Sequence, residues 1–536
     1  MQASNCLTRE QRDLLLAVFS DCREFYTSRR AYDCDYKSLS RASLLDLYTG
    51  WKSFNASLSS GSWDVEVPIL TNWPFSVARS TSDSVRAIRQ VLGLYSRLEG
   101  NAATDSAIVG FKERVSSTRS SLPKPYVETA RNLIRSWLGP APCLLDLHPK
   151  HGPGAVAEGL KNWEKVNFAY TFRQLERVGG EQLLYLNDGH KMHEPRNMKV
   201  LKHAITRVIC VPKDFMKPRI ISAEPQTMQF LQQGVARYMM ATVEHLCPYI
   251  RFRDQTVNAM LAKRGDEVAT LDMSDASDRV SRRIVRQLFP NDWAELLFSL
   301  RSGFSKLPDG TVVPLRAFAP MGSALCFPVE AIVFAAVTVA VLCHIDGGSW
   351  FSKEKRKLVG IYGDDIIVPR DAGEAVLAVL RATGFTPNVA KCCLNGFFRE
   401  SCGAEWWRGD DVTVVRPRSL SPLYSPQDTY VSCAEMPMAL HAKRLYETGF
   451  LNAAQWLADR CVFPVAIGDG PGYMPSGLNW KKPGKFRWNP KYQRLEQQTT
   501  CCSEQQARSY VGDSYAALFL GLCSGWQSHQ VCRPRI

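Results

Sequence analysis

The chain has 536 residues, with 66 Lys and Arg against 52 Asp and Glu and a formal net charge of +14. At 45% hydrophobic and 22% charged it has the composition of an ordinary soluble globular protein, but its length rules out a single compact core, so two or three subdomains are expected. The basic excess points to a polyanionic partner, nucleic acid ahead of membrane, or to a basic surface kept for solubility. The 17 cysteines are odd in number and follow no regular framework. Cys392-Cys393 and Cys501-Cys502 are adjacent, unlike the spaced pairs of a zinc site, so reduced thiols are expected.

The first residues, "MQASNCLTREQRDLLLAVF", mix acids and bases with apolar residues and do not read as a secretory signal. "REQRDLLLAVFSDCREFY" and "SVRAIRQVLGLYSRLEG" space their apolar residues as amphipathic helices do. Ser-rich stretches at 53–63 and 116–126 predict loops or subdomain joints, and "KHGPGAVAEG" at 150–159 a Gly-Pro turn. From about 200 to 420 short β-branched runs alternate with helices. Strands are predicted at 207–212, 219–223 and 267–273, helices at 279–288, 326–345 and 373–383. Residues 357–363 and 365–370 form the two arms of a predicted hairpin. The pattern is α+β with hairpins, not a regular βαβ repeat. The most apolar stretch, 331–345, is shorter than the roughly 20 residues of a bilayer span and reads as a buried helix.

The tip of the predicted hairpin, "GIYGDDIIVPR" (360–370), places Asp364 and Asp365 side by side between apolar runs. Alone, this is a tight turn using Gly and Asp. A second acidic run, "TLDMSDASDRVS" (270–281), ends an apolar run on Asp272 and continues to Asp275 and Asp278. Asp278 or Ser277 could cap a following helix. A strand-end acid beside a core is costly without a cation or donor, so Asp272 has a weaker structural explanation. Adjacent strands could bring Asp272 to Asp364 and Asp365. Clustered carboxylates with open positions suit Mg²⁺, and two such ions roughly 3.5–4 Å apart serve phosphoryl transfer. The basic hairpin "RVICVPKDFMKPRIIS" carries Arg207, Lys213, Lys217 and Arg219, which could clamp a triphosphate or form a solvated basic loop.

Five motifs in order resemble those of the RNA-bacteriophage (levivirus) replicase catalytic subunits, which are RNA-directed RNA polymerases. "VPKDFMKPRIISAEP", "LDMSDASDRVS", "APMGSALCFPVEAIVF", "YGDD" and "GFTPNVAKCCLNGFFRESCGAEWW" together span about residues 205 to 408. The resemblance implies a right-hand fold of fingers, palm and thumb, with an antiparallel palm sheet carrying the metal site. Residues 1–200 would form N-terminal, mostly helical fingers and connections, 201–420 the fingers hairpin and palm, and 421–536 the thumb and C-terminal region. It implies Asp272 and Asp364 as principal ligands of two Mg²⁺ ions, for which Mn²⁺ can substitute, with Asp365 assisting. Asp278 would sense the ribose 2′-hydroxyl. Arg207, Lys213, Lys217 and Arg219 would hold the triphosphate, and Lys391 would lie near the leaving pyrophosphate as a general acid. Better-known family members have "MGNG" in the second motif; here "MGSA" puts Ser323 where an Asn helps read the sugar, with a shorter reach.

Beyond the palm, "NWKKPGKFRWNPKYQR" (479–494) interleaves Trp480, Phe486, Trp488 and Tyr492 with Lys481, Lys482, Lys485 and Arg487. Such interleaving suits single-stranded RNA, or an irregular loop packing its aromatics inward. The expected activity is template-directed RNA synthesis from ribonucleoside triphosphates, replicating a viral single-stranded RNA genome. A reverse transcriptase, a two-metal nuclease and a non-catalytic RNA-binding protein remain as alternatives. The resemblance further implies template and product RNA as partners, with host elongation factors Tu and Ts and a ribosomal small-subunit protein, no membrane partner, and action in the cytoplasm of an infected bacterium.

Overall fold

The computed structural model describes residues 7–26, 28–61, 67, 69–73, 81–97, 104–162, 164–186, 198–211, 213, 218–348, 352–417, 435–461, 464–468 and 473–499. Helices and short, mostly antiparallel strands alternate in an α+β arrangement. Two large hydrophobic clusters organise it. The first surrounds the helix Cys326–Ile345, buried on nearly every face against Lys124–Leu138, Gln226–Leu246 and Gly373–Thr383. This helix is long and apolar enough to cross a membrane, but 89% of its most apolar window is buried inside the molecule. All-round apolarity here is the mark of a core helix.

The second cluster joins the two ends of the described chain. Leu14, Phe19, Trp51, Phe54 and Leu92 pack with Cys393, Trp407, Ala442 and Leu457. The predicted loop at 53–63 is instead mostly helix, because Leu44–Ser60 continues through its serines. Leu47, Trp51, Phe54 and Leu58 keep a spacing of three to four and bury one face. Ser60 returns its hydroxyl to the carbonyl of Ser57 at 3.0 Å, which satisfies the serine inside the helix. Apolar periodicity outweighs serine composition.

The sheets that place the site are small. Gly360–Tyr362 and Asp365–Pro369 form the expected hairpin, and Asp365–Pro369 also pairs antiparallel with Val268–Leu271. Ile205–Val211 and Arg219–Ala223 form the basic hairpin, extended through Phe304–Lys306 and Val312–Pro314 into a four-stranded sheet. The helix expected over 279–288 is broken into Ala276–Arg279 and Arg282–Leu288. Ser281 sits between them and caps the second by accepting from the N–H of Ile284. Asp275 precedes the first in a left-handed conformation, φ 50°, and no side chain caps that helix. Asp278 therefore lies inside a helical turn and is not the cap the sequence allowed.

Candidate active site

In the antiparallel ladder, Leu271 faces Ile366, so the next position, Asp272, comes level with Asp365 at the end of the strands, beside the Asp364 turn. Two glycines make the turn and its wall possible. Gly363 has φ +62°, and a Cβ there would meet the Phe327 ring at 2.7 Å. Gly322 has φ +120°, and a Cβ there would meet the Ser222 carbonyl oxygen at 2.4 Å. The Ser222 N–H donates to the Met321 carbonyl at 2.7 Å, so the "MGSA" turn is fastened to the basic hairpin.

Burial, and after it the charge of Asp364 against the opposing pull of Lys391, pushes Asp272 up to about 6. Asn388 holds it, donating Nδ2–H to Oδ2 at 2.7 Å while its backbone N–H donates to the Asp272 carbonyl at 2.9 Å. Asp364 is also raised by burial, against its own backbone N–H and the charges of Lys391, Lys213 and Arg219. Burial and the charges of Asp364 and Asp272 push Asp365 up to about 7. Its Oδ2 accepts from the Cys402 N–H at 3.2 Å, which ties it to the turn after Phe398–Ser401. Lys391 ion-pairs with Glu400 at 3.1 Å. Glu400 above all, then Asp272 and Asp365, hold its ammonium protonated well above the ordinary lysine range, which opposes proton donation in this state.

Asp278 is buried beside the same cleft, and burial pushes it up to about 6 against the pull of Arg114. Arg114 Nε–H donates to its Oδ2 at 3.1 Å and also lies 3.5 Å from Asp275. Ser323 is bonded into the core in this state. Its hydroxyl donates to Gln232 Oε1 at 2.9 Å, within the core against Gln226–Leu246, so it is engaged away from Asp278. Four further groups complete the cluster: Glu330, Asn388, Glu400 and Arg114. Glu330, buried in the long apolar helix, is raised well above the ordinary range by burial and by Asp364, Asp278 and Asp272. Glu400 lies in "FRESCG" and Glu330 in "CFPVEAIVF", but nothing local in either run marks them as neighbours of Asp272.

The basic hairpin divides. Lys213 and Arg219 lie near enough for their charges to act on Asp364. Arg207 faces Ala223 at the far end of the ladder and donates Nη2–H to the Val156 carbonyl at 3.3 Å, against the 150–159 loop. Lys217 lies outside the described residues. In the 479–494 stretch Trp480 is buried, donating Nε1–H to the Pro475 carbonyl at 2.9 Å. Phe486, Trp488 and Tyr492 are exposed on or beside the hairpin of Phe486–Asn489 and Arg494–Gln497, with Lys481, Lys482, Lys485 and Arg487 exposed around them.

Among the described residues, no three His, Cys, Asp or Glu side chains converge closely enough to hold an ion unaided. The donor set nonetheless fits Mg²⁺ in kind: it is made of carboxylate oxygens, raised first by burial and then by one another's charge.

Residues 181–426 match the family described as RNA replicase, beta-chain. The chain is 36% identical over 311 residues to the RNA-directed RNA polymerase subunit beta of Escherichia virus Qbeta, covering 56% of this chain and 51% of that one. It is 37% identical over 212 residues to the subunit of the same name from Enterobacteria phage SP, covering 39% and 35%. The chain thus spans about a third to a half of the length of these curated relatives. Among solved structures, an insertion-loop deletion mutant of a human picorbirnavirus RNA-dependent RNA polymerase superposes with a TM-score of 0.43 at 12% identity, covering 78% of this chain and 84% of that one, a likeness too loose to settle the fold. All of the site's carboxylates lie within residues 181–426, the stretch that matches that family.

Proposed function

We propose that this chain is an RNA-directed RNA polymerase that replicates a viral single-stranded RNA, built as a right hand with fingers (1–200 and the basic hairpin), a palm within 201–420 and a thumb in 421–536. The observation that carries the reading is the meeting of Asp272 with the Asp364-Asp365 turn on adjacent strands, with Lys213 and Arg219 acting on the same turn. A 3′-hydroxyl attacks the α-phosphate of a ribonucleoside triphosphate and pyrophosphate leaves; base pairing with the template selects the nucleotide.

Asp272 and Asp364 would hold two Mg²⁺ ions, or Mn²⁺ in their place, with Asp365 released from Cys402 to assist. Such ions supply activation of the hydroxyl and neutralisation of the phosphates. Lys213 and Arg219, with Lys217, hold the triphosphate as fixed cations. Arg207 contacts RNA or phosphate from the far end of the hairpin. Asp278, aimed by Arg114, reads the ribose 2′-hydroxyl. Lys391 balances the carboxylates beside the leaving pyrophosphate and becomes a general acid only once it leaves Glu400. The exposed aromatics and cations of 481–488 receive single-stranded RNA. Host elongation factors Tu and Ts and a ribosomal small-subunit protein complete the enzyme in the cytoplasm of an infected bacterium.

The test is incorporation of labelled ribonucleotides on an RNA template with Mg²⁺, using chain purified from bacteria with and without host extract, beside Asp364→Ala. Template-length product from the wild type alone, with RNA binding kept by the variant, supports the reading. Equal synthesis by the variant sinks the metal-site assignment, and efficient use of deoxynucleotides would move the reading towards a reverse transcriptase.

A further inference from the structure

A second concentration of charge lies beside the cleft. Arg119, Arg282, Arg283, Arg286 and Arg316 line one cavity of about 420 Å³ with Thr118 and Ser281. All five arginines are exposed. Among the described residues none of the five has an ion-pair partner within 4 Å, whereas Arg114, five positions before Arg119, is paired with two aspartates.

The cavity is built, not incidental. Three separate segments form it and hydrogen bonds staple them together. The Arg282 N–H donates to the Arg316 carbonyl at 2.9 Å, and the Thr118 hydroxyl to the Arg279 carbonyl at 3.0 Å. The Ser281 N–H donates to Ser120 Oγ at 2.9 Å, and the Ser281 hydroxyl to the Ser120 carbonyl at 2.7 Å. The Arg286 guanidinium is fixed 4.5 Å from the centre of the Phe298 ring. The arrangement works against the local helix. Arg282 and Arg286 stand four apart, a spacing at which like charges destabilise by a few tenths of a kcal/mol. Arg282 and Arg283 occupy a first turn that carries no acid, where the helix dipole opposes cations. Behind the wall, Arg301 is buried and spends its donors on the carbonyls of Leu315, Ala317 and Phe318. Five guanidiniums around a concavity, with a sixth behind them, suit an anion with several negative oxygens. Guanidinium forks match phosphate oxygens two at a time.

We propose that this arginine cavity is an RNA-backbone site outside the catalytic cleft, gripping consecutive phosphates of a single strand on the far side of the Arg279–Arg282 segment from Asp278. The choice of RNA as the source of the phosphates rests on the polymerase reading; the cavity's call for phosphate does not.

The experiment is fluorescence anisotropy of a labelled, unstructured single-stranded RNA on the full chain across a salt series. It compares the wild type, R283Q/R286Q/R316Q, R283K/R286K/R316K and Asp364→Ala. Removing three phosphate contacts should lower the slope of log affinity against log salt by about 2 and weaken binding roughly tenfold or more at moderate salt. The lysine variant should keep the slope, and Asp364→Ala should bind as the wild type does. An unchanged slope in the glutamine variant, with its melting temperature preserved, overturns the proposal. So does displacement of the RNA by inorganic phosphate or a ribonucleoside triphosphate at equal phosphate concentration, which would make the cavity a small-anion site. If the wild type incorporates no nucleotide even with host extract added but the slope change is seen, the cavity stands and the polymerase reading falls.

Discussion

Two clusters of charge in this protein, one buried and one half-buried, are settled in opposite ways. In the second core, Glu405 receives Arg89 at 2.7 Å and Arg416, and accepts the Val414 N–H at 3.1 Å. Arg89 stacks 4.4 Å from the Phe398 ring centre and 5.0 Å from that of Trp51. Although burial opposes it, Arg89 and Arg416 hold the Glu405 carboxyl below its ordinary range. In the cleft, Asp272, Asp364, Asp365 and Glu330 are all raised, and Lys391 is shared with Glu400. A cluster that serves only the fold meets its carboxylate with cations of its own, here two guanidiniums for one acid. A cluster left short of positive charge is stable only to the extent that something else supplies it.

Substitution with neutral amides breaks the comparison most directly. Asp272→Asn keeps an oxygen for Asn388 but removes one of the repelling charges. Incorporation should fall by about 10²- to 10³-fold, the scale of losing a group that stabilises charge in the transition state. Its melting temperature without divalent ions should hold or rise. A fall in both would make Asp272 a structural acid like Glu405.

Glu405→Gln is the converse. It strands Arg89 in a dry core, and breaking a buried pair from one side costs roughly 3–5 kcal/mol. Urea titration should show that loss, with the activity of the remaining folded fraction near that of the wild type. A variant as stable as the parent would mean that the cation-π contacts and Arg416 suffice without the carboxylate.

The clusters should also answer pH with opposite signs. Glu405 is depressed on folding, so its contribution is present above the unfolded carboxylate range and is lost as pH falls through its folded value. Asp278 is raised to about 6, so its contribution is complete below the ordinary value near 3.8 and is lost as pH rises through 6. The groups facing it are Asp275 and Arg279 around its own turn, Arg114 from the helix Thr104–Ser117, and Glu330 and Cys326 from the long helix. Asp278→Asn should therefore flatten the decline in melting temperature between about pH 4 and 6, by up to about 3 kcal/mol of stability. A decline of the same steepness in the variant would assign it to other acids.

What the chain reveals in advance depends on how local the cause is. The hairpin around Asp364 and the strand ending on Asp272 are written in contiguous β-branched runs, and the missing third carboxylate could be sought because two adjacent acids call for a cation. The helix through Ser53–Ser60 was hidden by composition, although Leu47, Trp51, Phe54 and Leu58 carried its period. Asn388, Glu400 and Arg114 were illegible for another reason. Each acts on an aspartate through the fold, Arg114 from 164 positions away, and no spacing within its own segment signals that. Arg207 shows the same limit in reverse: the residues of one hairpin were read as one clamp, but strand pairing sends its two ends to different neighbours.

Ser323 gives the smallest expected effect and the finest cut. The sequence put its hydroxyl in the sugar-reading position, but it donates to Gln232 Oε1 and accepts the Leu325 N–H at 3.2 Å. If those bonds persist with substrate bound, Ser323→Ala should cost about 1 kcal/mol of stability, the net value of a typical hydrogen bond. The ratio of ribonucleotide to deoxynucleotide incorporation should then change by less than about threefold, under 1 kcal/mol of discrimination. Asp278→Asn, measured beside it, should lower that ratio far more, because Asp278 is held by Arg114 at the cleft and not by the core. A tenfold loss of discrimination in Ser323→Ala would mean that the serine leaves Gln232 when a nucleotide arrives, and that sugar selection is assembled by substrate instead of standing ready in the free enzyme.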